Sequence, residues 1–266
     1  MQRTTLLLIL FVAFAFVAFN DLPRIMSNGA PAASTGAPYE KNCATSGCHS
    51  DFSINSGNAE LSVSIENGIT QYETRKTYPI TVSISNPGLV RFGFQVVVLK
   101  NSDNTNAGTI KLAETLRTQI IEGYGALSER KYITYTYQGT DAVSAGLGKW
   151  TFDWTASETN EGPVTFYAAS IAANNDGTDS GDHSYTKQLM LEFHETALSV
   201  LPTLRPGEFY LEGQGALCVY NVSGEKVYSA SSLKNILDLS DKPVGVYFIF
   251  LTRDGRTEYK KIIISR

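Results

Sequence analysis

The chain has 266 residues, with 22 Lys+Arg against 26 Asp+Glu for a formal net charge of -4. That length accommodates about two domains, and a charge so mild and mixed excludes electrostatic capture of nucleic acid. The 14 Tyr and 13 Phe, with recurrent β-branched residues, fit pleated, half-buried surfaces and point to an all-β protein.

Arg3 precedes an unbroken apolar run from Leu6 to Phe19, closed by Asn20, Asp21 and Arg24. The run is short for a membrane span and has the length of an export-signal core. Residues 1–20 therefore read as a signal peptide, with a retained N-terminal anchor as the alternative. No later stretch is apolar enough to cross a bilayer, so no transmembrane segment is expected in the mature chain. Export permits disulfides and covalent haem. Residues 21–41 are small and turn-rich, with Ser27-Asn-Gly-Ala-Pro31 and Ser34-Thr-Gly-Ala-Pro38, and read as a linker with no core of its own.

Cys43-Ala-Thr-Ser-Gly-Cys48-His49 follows. Two thiols with a histidine directly after the second are the pattern of c-type haem attachment, His49 being the proximal iron ligand. The common spacer is two residues; here it is four, which Ala44, Ser46 and Gly47 allow by bulging. The competing chemistry is a Cys43–Cys48 disulfide, worth roughly 2 kcal/mol or less in chain entropy for so short a loop. Both chemistries stay open on the residues alone. Zinc would want four ligands, and the other histidines are distant in sequence. Cys218 lies in an alternating strand and reads as a buried small hydrophobe.

Strand signals then run in series. Glu60–Ile65 and Tyr78–Ile84 alternate, Phe92–Leu99 reads as buried on both faces, and Lys131–Tyr137 alternates again. Trp150–Trp154 puts three aromatics on one face, Val164–Ile171 is apolar, and Leu189–Phe193 closes the set. Lys111–Ile121 is the only stretch read as a helix. Short strands with turns between them predict a β-sandwich over 42–198. A second series over 199–266, with turns at Asn221-Val-Ser-Gly224 and Thr252-Arg-Asp-Gly255, predicts a smaller β-sandwich.

Within the loop 174–182, Asp176, Asp179 and Asp182 concentrate oxygen ligands and form a candidate calcium site, although Asn, Asp and Gly are also plain turn formers. His183 and Met190 are the candidate sixth ligands for a haem iron; a solvated loop histidine and a strand methionine are their ordinary roles. No nucleophile elbow, phosphate-cradling loop or zinc helix is present, so no enzymatic activity is expected.

Val219-Tyr-Asn-Val-Ser-Gly224-Glu-Lys-Val227, Ile236-Leu-Asp-Leu-Ser240, Gly245-Val-Tyr-Phe-Ile-Phe250 and Lys261-Ile-Ile-Ile264 resemble, in order and spacing, the type A sorting domain of the type IX secretion system. The resemblance implies the type IX machinery as partner and release or anchoring at the cell surface. The Asn-Pro pair that often opens such domains is absent. The central region resembles the bacterial branch of the reeler domain. The residues carrying this are Thr35-Gly-Ala-Pro38, Phe92-Gly-Phe-Gln95, Ala107-Gly-Thr109, Trp150-Thr-Phe-Asp-Trp154, Gly162-Pro-Val-Thr-Phe166 and Asn174-Asn-Asp-Gly177 with Ser180-Gly-Asp182. It implies a β-sandwich displayed outside the cell, binding or adhesion through an extracellular ligand, and no established catalysis. It also implies a Cys-x-x-Cys-His-like element at Cys43–His49, and a histidine where this chain has Tyr135. On the haem alternative the protein is an extracytoplasmic electron carrier with its own redox partner.

Overall fold

The protein is described from a computed structural model, over residues 26–265 except 46, 195–197, 214, 233–234 and 254–255. The expected signal peptide and the Asp254–Gly255 part of the second hairpin turn lie outside the described residues. The chain divides between Glu192 and Phe193 into two compact units.

The first unit holds ten strands: β1 (Glu60–Ile65), β2 (Gln71–Tyr72), β3 (Thr77–Ser85), β4 (Arg91–Lys100), β5 (Thr109–Leu112), β6 (Thr118–Glu122), β7 (Lys131–Tyr135), β8 (Leu147–Thr155), β9 (Val164–Ala173) and β10 (His183–Phe193). They form a four-stranded sheet in the order β1-β3-β8-β5 and a six-stranded sheet in the order β2-β10-β9-β4-β7-β6. Alternation is what places the core. Ile80, Val82 and Ile84 of β3 and Trp150, Phe152 and Trp154 of β8 are all fully buried. Across the sandwich, Phe94 stacks on Trp150 at 4.4 Å and Phe166 meets Trp154 edge-on at 5.4 Å. Each indole N–H finds a carbonyl, Trp150 on Gly139 at 2.8 Å and Trp154 on Ala107 at 2.9 Å, so the aromatics bury no orphan donor.

Residues 26–41 are not a free linker. They begin a strap that crosses the outer face of the six-stranded sheet strand by strand. Gln119 of β6 donates to the Asn28 carbonyl, and the Ala30 N–H donates to Thr134 of β7. Gln95 of β4 accepts from the Ser34 N–H and donates to the Pro31 carbonyl. Ala33 and Ala37 pack with Val97, Leu99 and Tyr132. Cys43 then sits on Ala169 and Ile171 of β9, and Asn55 exchanges hydrogen bonds with Ser184 and Thr186 of β10. The small residues that suggest a linker are small because they lie close against a sheet. The strap also explains why β4 is buried on both faces: Phe92 and Phe94 point into the sandwich, whereas Gln95, Val97 and Leu99 point under the strap.

A charged clasp fixes the strap. The Glu40 carboxylate is fully buried and pairs with the equally enclosed Arg130 at 2.6 Å. It also accepts from the Tyr132 hydroxyl at 2.8 Å and from the Thr35 hydroxyl at 2.6 Å. Arg130 also donates to the Pro38 and Asn104 carbonyls. The Thr35-Gly-Ala-Pro38 stretch thereby acquires a physical role, since Thr35 both binds the carboxylate and accepts the Ala37 N–H.

Two other expectations are corrected. The helix read over Lys111–Ile121 is instead β5, a single turn in which Arg117 and Thr118 both donate to the Glu114 carbonyl, and β6. β-Branched Thr109, Ile110, Thr118, Ile120 and Ile121 favour the extended form, and pairing with β8 and β7 captures it. His183, read as a loop residue, opens β10, which starts well before Leu189.

The second unit contains β11 (Ser199–Pro202), β12 (Glu208–Glu212), β13 (Ala216–Asn221), β14 (Lys226–Ala230), β15 (Ile236–Asp238), β16 (Gly245–Arg253) and β17 (Arg256–Ile264). Sheets β11-β12-β15 and β14-β13-β16-β17 enclose Phe209, Leu211, Leu217, Val219, Leu237 and Ile249, among others. Asn221 accepts the Ser223 and Glu225 N–H groups and Gly224 takes φ +78°, which makes the Asn221–Gly224 turn. Cys218 faces away from Leu217 and Val219 and is half-buried, not enclosed in the core.

Candidate functional site

The Cys43–His49 hook lies where the strap passes over β9 towards β10. Its base is closed by the His49 N–H, which donates to the Cys43 carbonyl at 3.1 Å, and its inner turn by Cys48 N–H on Thr45 O at 3.1 Å. Gly47 takes the left-handed φ of +85° that this reversal requires. The two thiols, both free, have opposite surroundings. Cys43 is buried against Ala169 and Ile171 and directs its thiol at the Ser34 carbonyl, 3.6 Å away, whereas Cys48 is exposed. Burial pushes the Cys43 thiol up to about 12, and the neighbouring Cys48 adds to the rise.

His49 is held by the loop between β9 and β10. Its Nδ1 lies 2.9 Å from Oδ2 of Asp182, a carboxylate buried to 2% exposure. This is a close approach without an aligned N–H, and Nδ1 has no hydrogen-bond partner. The other oxygen of Asp182 accepts the Asn174 N–H at 2.8 Å. Asp51 anchors the next turn of the strap by accepting from the Ser180 hydroxyl and the Gly181 N–H, and both bonds hold its carboxyl below the usual range. Phe52 then stacks on the His183 ring at 4.0 Å. A Cβ at Gly57 would overlap the Tyr185 hydroxyl and stand 2.7 Å from the His183 ring, so a larger residue there would have to displace both side chains.

The structure thus brings Cys43, Cys48, His49, Asp182 and His183 into one neighbourhood and leaves the other candidates outside it. Met190 is exposed on β10, seven residues beyond His183 or about 24 Å along the strand, and its sulfur accepts from Asn101. Asp176 spends its carboxylate on the Thr178 N–H and hydroxyl, and Asp182 accepts the Asn174 N–H with His49 against its other oxygen. Among the described residues no group of three or more His, Cys, Asp or Glu could hold a metal ion, so the candidate calcium triad is not assembled. Tyr135 is buried near Cys43, which helps burial to raise its phenol; it lies against Gly93 and donates to the Met26 carbonyl at 2.7 Å.

As packed, these residues do not fit covalent haem. Attachment needs both sulfurs open to one macrocycle edge, yet Cys43 points into an aliphatic cluster while Cys48 points to solvent. The position at which the resemblance implies a second histidine holds a protonated phenol already committed to a carbonyl.

Residues 208–265 match the family model described as "Secretion system C-terminal sorting domain". The C-terminal unit is a secretion sorting domain. It directs the protein by type IX secretion to the cell surface or beyond it. No curated protein matches the chain. Among solved structures, the human F-spondin reeler domain is similar at 19% identity and TM-score 0.37, covering 53% of this chain and 94% of that one. The Reelin-N domain of F-spondin gives 19% and 0.38, covering 54% and 94%. A cohesin module of a Clostridium perfringens family 33 glycoside hydrolase gives 10% and 0.35, covering 52% and 97%.

Sequence reasoning missed Glu40, Arg130 and Gln95 as the fixings of the strap. Gln95 was visible only as the end of Phe92-Gly-Phe-Gln95, and Glu40 only as an acidic residue after Thr35-Gly-Ala-Pro38. Its partner lies ninety positions away in sequence.

Proposed function

We propose that the protein is a surface-displayed binding module: the first unit carries recognition and the second carries export. The observation behind this reading is an asymmetry of the two sheets. The strap covers the outer face of the six-stranded sheet, whereas the outer face of the four-stranded sheet is half-exposed to exposed, with Glu114 reaching Thr151. That face carries hydroxyls in cross-strand register, Ser62 beside Ser83, Ser64 beside Thr81 and Thr151, and Thr77 beside Thr155 and Thr109, with Lys149 beside Ser83, Asp153 beside Lys111, and the Thr151 hydroxyl donating to Glu114. Hydroxyls interspersed with single charges of both signs suit a hydrogen-bonding polymer such as a polysaccharide better than a greasy partner.

Electron transfer through haem is not part of this reading, because the Cys43 sulfur is turned away from solvent. The test is binding of the full chain to an array of neutral polysaccharides, repeated with Thr81→Arg and Thr151→Arg. Loss of binding in both variants, at unchanged thermal stability, supports the reading. Binding that survives both, or no binding to any member of the array, refutes it.

A further inference from the structure

We infer that Cys43 and Cys48 form a dithiol site for disulfide-class oxidants, with exposed Cys48 as the entry thiol and buried Cys43 as the resolving thiol. The inference rests on the hook itself and on delivery outside the cytoplasm, not on the binding reading.

Three observations carry it. The His49 N–H bond to the Cys43 carbonyl brings the two ends of the hook together. Standard backbone dimensions then limit the Cys43–Cys48 Cα separation to about 8 Å, and a disulfide needs about 4.4–6.8 Å. The Cα separation is thus at or near the disulfide range, and closure also requires the exposed end of the hook to turn the Cys48 side chain inward towards Cys43. Second, access is one-sided: Cys48 is exposed and Cys43 lies on Ala169 and Ile171. Third, the two thiols are within electrostatic reach of one another, since Cys48 contributes to raising Cys43. The third cysteine, Cys218, belongs to the second unit.

The chemistry balances as two exchanges. The Cys48 thiolate attacks a small disulfide, one sulfur of that disulfide leaves as a thiol, and a mixed disulfide remains on Cys48. Cys43 loses its proton to solvent and attacks the Cys48 sulfur, and the second small thiol leaves. The protein loses two hydrogens and the oxidant becomes two thiols. A thiol raised to about 12 is rarely ionised at neutral pH, so the second step is the slow one and quickens about tenfold per pH unit. Covalent closure would secure the strap beside the Asp182 loop.

The experiment exposes the reduced full chain to oxidised glutathione at pH 7, 8 and 9 and follows intact mass and peptide maps with time. The expected course is a glutathione adduct on Cys48 that gives way to a Cys43–Cys48 bridge. The mass then falls two hydrogens short of the reduced chain, and the second step accelerates about tenfold per pH unit. Cys43→Ser should trap the adduct on Cys48. Should that variant misfold, the wild-type peptide map decides alone. Adduct appearing first on Cys43, an adduct on Cys48 that persists in the wild type at pH 9, or Cys43 and Cys48 both still alkylatable after exposure would overturn the inference.

Discussion

Replacing Glu40 by Gln tests whether the strap is held by its buried clasp. The carboxylate is fully enclosed and receives four hydrogen bonds, from Arg130 Nη1, the Tyr132 hydroxyl and both the N–H and hydroxyl of Thr35. Glutamine keeps an acceptor for Tyr132 but removes the charge, so the Arg130 guanidinium stays buried without a counter-ion. Removing one member of a buried pair costs about 3–5 kcal/mol. Arg130 retains the Pro38 and Asn104 carbonyls, which places Glu40→Gln near the lower end, about 3 kcal/mol. For a domain of this size that lowers Tm by about 6–12 °C, at roughly 2–4 °C per kcal/mol. The assay is tryptophan fluorescence on heating, because both Trp residues, Trp150 and Trp154, lie in the core of the first unit and report on it alone. The strap should also become cleavable near residues 26–41 below the melting range. A Tm drop of less than about 2 °C with the strap still resistant would refute the clasp as its main fixing.

Further outcomes follow from single features. Tyr39 is 84% exposed and holds φ +68°, a conformation that costs an L-residue about 1–2 kcal/mol, so Tyr39→Gly should raise Tm slightly despite the added chain entropy. The Ser184 hydroxyl is buried without a partner, and Ser184→Ala should be neutral or stabilising by up to about 1 kcal/mol in a denaturant titration. The Asp51 carboxyl lies below its ordinary 3.8 when folded, so its contribution is complete above that value and is lost as pH falls through the lowered one. Amide exchange at Gly181 should accordingly quicken only in strong acid, and an onset already near pH 6 would contradict the assignment.

How much of this was legible depended on whether the deciding contact was local. β3 and β8 could be read from the sequence because alternation alone separates Ile80, Val82 and Ile84 from their polar neighbours. β4 was legible as a doubly buried strand, but the cover over its second face was not. Ala33, Ala37 and Gly36 have the composition of a linker whether or not a sheet lies beneath them. The hook shows the same limit: spacing identified Cys43, Cys48 and His49 as a unit, yet only the position of β9 sets one thiol inside and the other outside. Likewise, nothing near Lys111–Ile121 declares that β7 and β8 will be there to pair with it. The sorting domain was the most legible part, since three of its five strand pairings, β11–β12, β13–β14 and β16–β17, join immediate successors.

The second unit sends the first outside the cell. The direct measurement is protease accessibility of the first unit on intact cells of the native bacterium, comparing the full chain with one ending at residue 198. The full chain should be cleaved at the surface or recovered from the medium, and the truncated chain should be protected in the periplasm. Equal surface exposure of the truncated chain would contradict it.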